Sequence, residues 1–333
     1  MAQMKYFYEL TISSSPHIHA PTSTKTIMRD VIIALLPALV GSVYFFGFRA
    51  LMVTLVSASA CVFFEWGYSK LAKTSCKVYD MSAVLTGILL AFVCPVTIPY
   101  WTIIIGDFFA MIIVKALFGG IGRNIVNPAL AARAFMFSYP VLMTHWVEVG
   151  FENAAGILST TDAVTCATPL ASMHEGLLPE GIRLQDLFLG NVAGCIGETS
   201  VLLLLIGFVY LLVRRVLTLR IPLSFIGTVA VLTFLFPRGN DRVLWMAYQL
   251  CSGGLMLGAI FMATDYVTSP ITKLGQILYG IGCGVLTVVI RYFGGYPEGV
   301  SYAILVMNCS VVLFDRIGRP KKFGAPKKEV AKA

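Results

Sequence analysis

The stretch TDAVTCATPLASMHEG, residues 161–176, sets three threonines, an aspartate and a histidine into a chain that is otherwise mostly apolar. Thr168 stands there between Ala167 and Pro169. A threonine hydroxyl is a weak nucleophile until an enzyme activates it, so the chemistry open to Thr168 is modification by a partner. Pro169 disfavours helical geometry at Thr168 and biases it toward an extended form that an enzyme can grip. The plain alternative is a threonine that caps or ends a local turn.

Other polar side chains interrupt apolar runs. Asp107 lies within IIIGDFFAMII, and Glu65 lies beside Trp66. A carboxylate inside a bilayer costs roughly 2.5–3.5 kcal/mol unless it is paired or hydrated, so both are candidates for an ion path. Glu65, near the end of its run, also suits an interfacial position. Asn124 and Asn127 in GRNIVNP, and Asp265 and Thr268 in DYVTSP, sit where helices should break and expose amide groups to a polar ligand. Asp265 fits a routine boundary residue equally well. GGIGRN resembles a phosphate-cradling loop, but it follows an apolar run and no Lys-Ser or Lys-Thr follows it, so it reads as a tight turn. The eight cysteines form no CxxC pair, and the four histidines have no ligand spacing, so no metal site is expected. Cys166 and Cys195 share one loop and could pair there.

The elements that position these residues follow from composition. Of 333 residues, 57% are hydrophobic and 13% charged, with a mean hydropathy of +0.82. Lipid is the solvent such a chain needs. Apolar runs of spanning length fall at 27–47, 51–68, 81–96, 98–118, 125–144, 199–213, 220–237, 244–264, 273–291 and 299–314. The run at 125–144 holds Asn127, Pro128 and Arg133 and reads as a broken helix. With the N-terminus in the cytoplasm, 19 of the 25 Lys and Arg fall inside, five fall outside (Arg49, Arg183, Arg238, Arg242, Arg291), and Arg133 lies within a span. That bias obeys the positive-inside rule. It predicts a multi-pass membrane protein with both termini cytoplasmic. The order is an N-terminal segment (1–26), a first membrane repeat (27–144), an extracytoplasmic loop (145–198), a second repeat (199–315) and a basic tail (316–333). The N-terminus shows no signal peptide. No basic face with interleaved aromatics points to nucleic acid.

The fold class expected is all-α, with about ten transmembrane helices as two inverted five-helix repeats. LTGILLAFVCPVTIP (85–99), a span and GGIGRNIVNPALAARAF (119–135) are echoed by LCSGGLMLGAIFMATDYVTSP (250–270), a span and GGYPEGVSYAILVMN (294–308). Five spans is an odd number, so the second repeat must be inverted, as in many transporters.

The segments ISSSPHIHAPTSTKTIMRDVIIALLPALVGSVYFFG, LTGILLAFVCP, GGIGRNIVNPAL and ATDYVTSP carry a resemblance. The chain resembles the D subunits of the Rnf complex, the membrane-bound ion-translocating ferredoxin:NAD+ oxidoreductase. It is more distantly similar to the B subunit of the Na+-translocating NADH:quinone reductase. The resemblance implies FMN joined through its phosphate to Thr168 by a flavin transferase. That enzyme reads Asp162, Thr165, Ala167 and Thr168; the one departure is Cys166, where glycine is common. It implies an electron-carrying subunit of a redox-driven translocase of the bacterial cytoplasmic (inner) membrane, which moves Na+ or H+ and has no complete active site of its own. Its partners would be the complex's other subunits (A, B, C, E and G), which would handle ferredoxin and NAD+, together with membrane lipid. A second flavin or riboflavin would lie between the GRNIVNP and DYVTSP turns. The rivals are the quinone-reductase subunit and a cofactor-free inverted-repeat transporter.

Overall fold

The computed structural model describes residues 22–73, 78–147, 168–179, 181–239 and 241–317, and every regular element among them is helical. α1 (Thr24–Phe46) opens on a capping box in which Ser23 accepts from the Thr26 amide and Thr26 accepts from the Ser23 amide. Only Gly47 separates α1 from α2 (Phe48–Leu71). Its φ of 77° lies where a side chain would be strained, which lets two long helices fold back with a single residue between them. α3 (Ser82–Phe92) is followed by an irregular stretch and then α4 (Tyr100–Phe108), which continues as a π-helix over Phe109–Ala116. After the Gly119–Gly122 turn come α5 (Pro128–Met136) and the short α6 (Pro140–Met143).

Two short helices, α7 (Pro169–His174) and α8 (Leu184–Leu189), precede the second half. That half comprises α9 (Val201–Val213), α10 (Arg220–Leu235), α11 (Arg242–Cys251) and α12 (Leu255–Leu257), which runs on as a π-helix to Met262. It closes with α13 (Lys273–Phe293), α14 (Val300–Cys309) and α15 (Val311–Ile317). α1 packs on α9 and α5 on α14, so the two halves pack on one another. Buried side chains from both halves merge in one core.

Three helices, α1, α2 and α13, are long and apolar enough to cross a membrane singly. Two more candidate spans are bent pairs: α11 with α12 at 64°, and α14 with α15 at 58°. Large apolar side chains such as Val40, Tyr44, Phe63, Val209 and Phe293 point outward, as lipid-facing surface requires. The other predicted runs are shorter helices, and the ten-helix count therefore stays an expectation.

The broken helix expected at 125–144 is present. Asn127 caps α5, its side-chain oxygen accepting from the Ala129 and Leu130 amides, and Pro128 takes the first helical position, where no donor is needed. The other breaks free backbone carbonyls that lipid cannot satisfy, and buried arginines satisfy them. Arg49 donates to the carbonyls of Val96 (Nε, 2.7 Å) and Ile98 (Nη2, 3.1 Å) after α3. Arg291 donates to those of Gln249 (2.6 Å) in the last turn of α11 and Ser252 (3.0 Å) just after it. The sequence pattern places both among the loop charges. Both are buried structural donors instead.

A candidate flavin cavity and its buried charges

Thr168 is extended, with φ −75° and ψ 151°, as its Pro169 neighbour requires. It occupies the position before α7, yet its side chain makes no capping hydrogen bond there. Thr168 therefore starts α7 through its backbone, and no capping bond to α7 engages its hydroxyl. The recognition residues Asp162, Thr165 and Ala167, with Cys166, lie outside the described residues.

Thr168 borders a cavity of about 300 Å³. Its described wall holds Phe137, Trp146, Tyr296, Glu298 and Tyr302. The Tyr296 and Tyr302 rings stack with centroids 6.0 Å apart, and Phe137 meets Tyr296 edge-on at 5.6 Å. A planar, largely apolar ring system fits such walls and such a volume. Thr168 and Glu298 also line a smaller neighbouring cavity together with Glu198.

Behind this wall sits Arg133 of α5, 2% exposed. One guanidinium nitrogen, Nη1, donates to Ser301 Oγ (2.7 Å) and pairs with Glu198 Oε1 (3.4 Å). The other, Nη2, pairs with Glu298 Oε2. Cys195, Glu198 and Glu298 present ligand atoms within 4.8 Å of one another, a spacing that a metal could use. Arg133 already stands among them, its Nη2 3.6 Å from Cys195 Sγ, and meets the need for a cation. Cys195 is a free thiol that donates to the Val93 carbonyl.

Sequence reasoning missed Glu198 and Glu298, since each looks like an ordinary loop carboxylate beside a glycine. The signal was Arg133 itself, a lone cation in an apolar run that had to find carboxylates.

At the N-terminal end of α5, six residues and about 9 Å along the helix from Arg133, the structure brings together four predicted residues. Asn124, Asn127 and Asp265 line one cavity, and Thr268 donates to Asp265 Oδ2 at 3.1 Å. Asn308 of α14 ties the two halves: with its amide oriented so that the nitrogen faces acceptors, it donates to the Thr268 carbonyl (3.1 Å) and its oxygen accepts from the Asn127 backbone N–H (3.2 Å). This cavity holds only about 90 Å³, below the usual range of about 300–1,000 Å³ for ligand pockets.

Lys115 reaches into the same cavity and pairs with Glu65 Oε1 (2.7 Å) and Ser82 Oγ (2.8 Å). Glu65 is therefore part of a buried ion pair. Asp107 is 0% exposed; its Oδ1 accepts from Ser57 Oγ (2.7 Å) and Cys61 Sγ (3.2 Å), while Oδ2 has no hydrogen-bond partner among the described residues. Glu65 belongs to α2 and Asp107 of α4 lies against it, but each has its own partners.

Apolar helices that cross a bilayer around buried, paired charges define a multi-pass membrane protein. The chain belongs to the NQR2, RnfD, RnfE family, whose model matches residues 11–324. It is 47% identical over 327 residues to the D subunit of the Na(+)-translocating ferredoxin:NAD(+) oxidoreductase complex of Acetobacterium woodii, covering 97% of this chain and 98% of that protein. It is 42% identical to the D subunit of the proton-translocating ferredoxin:NAD(+) oxidoreductase complex of Clostridium ljungdahlii, over 94% and 96% of the two chains. The D subunit of the ion-translocating oxidoreductase complex of Stutzerimonas stutzeri is 38% identical, over 91% and 93%.

Proposed function

We infer that this chain is the D subunit of an ion-translocating ferredoxin:NAD+ oxidoreductase complex and carries FMN on Thr168. The observation that carries the reading is Thr168 itself, extended, uncapped and opening on an aromatic-walled cavity, in a chain similar over nearly its whole length to two relatives that bear that complex's name. Bound flavin would supply one- and two-electron chemistry, which the protein tunes through position and charge. The residues here would do three things. Thr168 would hold the phosphate, Phe137, Trp146 and Tyr302 would cover the ring, and Arg133 would fix the wall behind it. Intact-mass measurement of the chain from its native membrane should give the polypeptide plus one FMN less water. An unmodified mass would refute the attachment.

The membrane arrangement belongs to the same reading: two inverted repeats of about five spans, with the 145–198 loop outside and both termini inside. Support comes from α5 and α14, which occupy corresponding places in the two halves, pack on one another and are each too short to cross a bilayer. Reporter fusions should place the C-terminus inside and position 175 outside. Finding both on one side would end the ten-span reading.

Asp107 is proposed to lie on the ion path, because its second oxygen is buried without a partner among the described residues and a passing cation or proton would satisfy it. Asp107→Asn should keep flavin and change stability by no more than about 1 kcal/mol, while most ion movement in vesicles is lost. Unchanged transport in the assembled complex would make Asp107 structural. Asn124, Asn127, Asp265 and Thr268 remain proposed walls for a second flavin, which requires their cavity to widen.

A further inference from the structure

Two carboxylates and one guanidinium stand directly behind Thr168, where well-packed apolar side chains would be no less stable. Their exposures are graded. Arg133 and Glu198 side chains are 2% and 3% exposed, while Glu298 keeps 20% of its side chain open. Glu298 is the only ionisable carboxylate or cationic side chain among the described residues lining the aromatic cavity, and it lines the smaller cavity beside Thr168 as well. Its backbone is held too. Arg291 Nε donates to the Glu298 carbonyl at 3.3 Å, and Gly299 after it takes φ 66°. The other Arg291 donors are taken by Gln249 and Ser252, which keeps that guanidinium on the backbone side.

We propose that Glu298 is a positioning residue that sets the redox potential of the flavin carried on Thr168, its carboxylate fixed at the cavity wall by Arg133. The proposal rests on the flavin reading of Thr168. A fixed negative charge beside a redox ring opposes the arrival of electrons, and it does so strongly where water is excluded. Arg133 is shared with Glu198, and neither Arg133 nor Arg291 lines the aromatic cavity, so among the described residues the Glu298 carboxylate is the charge nearest a ring held there. Glu298 therefore holds the potential low. A residue that served packing alone would have no reason to shift the potential in a set direction.

The test uses the full chain, co-produced with the flavin transferase and purified from membranes, with intact mass and a redox titration followed by flavin absorbance. Glu298→Gln keeps the shape and removes the charge. It should retain covalent flavin and raise the reduced-to-oxidised ratio at a fixed poise about tenfold, or about 30 mV for a two-electron couple. Glu298→Asp keeps the charge and should stay with wild type. Asp30→Asn, which alters a buried acid of α1 that pairs with Arg214 and lines neither of these cavities, should not shift the potential. A fully flavinylated Glu298→Gln variant with the wild-type potential overturns the proposal. A folded variant without flavin overturns it also, since Glu298 would then serve attachment. If Glu298→Gln does not accumulate, Glu198→Gln should give a smaller rise in the same direction, and no rise there is equally fatal. Wild-type chain without flavin mass would instead refute the reading of Thr168.

Discussion

Thr168→Val is expected to abolish covalent flavin while the chain still inserts and folds. Valine copies the β-branched shape of threonine and deletes the one oxygen a phosphoester needs. The extended backbone at this position suits valine, and the hydroxyl caps nothing in α7, so the change in stability should stay within about 0.5 kcal/mol. Attachment is all-or-none at the acceptor, so the loss should be complete: the intact mass drops to that of the bare polypeptide and in-gel flavin fluorescence disappears. Thr168→Ser restores a hydroxyl and should recover part of the signal. Flavin persisting on the valine variant would place the attachment elsewhere, and the account of this loop would fail.

Arg133→Met should cost about 3–5 kcal/mol, the usual penalty for stranding buried charges that had a partner. Arg133 answers two carboxylates at once, and methionine fills much of its volume without answering either. The expected result is a large drop in the thermal midpoint of the purified chain and poor recovery from membranes. Converting Glu198 and Glu298 to glutamine in the same background removes the stranded charges and should return much of the loss, because residues in one network are not additive. An Arg133→Met chain as stable as wild type would show that the guanidinium does not hold these carboxylates.

The two relatives with the higher identities bear names with different ions, Na+ in one and protons in the other. Overall similarity therefore does not choose the ion for this chain. On the proposed reading the choice would rest on a few side chains along an ion path, and Asp107, Glu65 and Lys115 are three buried or part-buried charges of the first half that could line one.

The sequence by itself determined the features that depend on neighbours along the chain. Apolar runs made helices because lipid leaves no other outlet for backbone hydrogen bonds. Asn127 and Pro128 broke a run and started α5 because one offers a capping oxygen and the other lacks a donor. Pro169 kept Thr168 extended. Asp107 declared itself by its lone charge among isoleucines and phenylalanines. What only the tertiary structure decided is how charges were shared between distant segments. Arg133 meets Glu198 65 residues away and Glu298 165 residues away, and nothing local announces either partner. Arg49 and Arg291, which looked like loop cations, turned inward because broken helices release carbonyls and only a long side chain from another helix can reach them. Glu65 found Lys115 in the same way, across α2 and the π-helical segment. Helices form from local rules, but a buried charge is satisfied by whichever partner the packing brings within three or four ångströms.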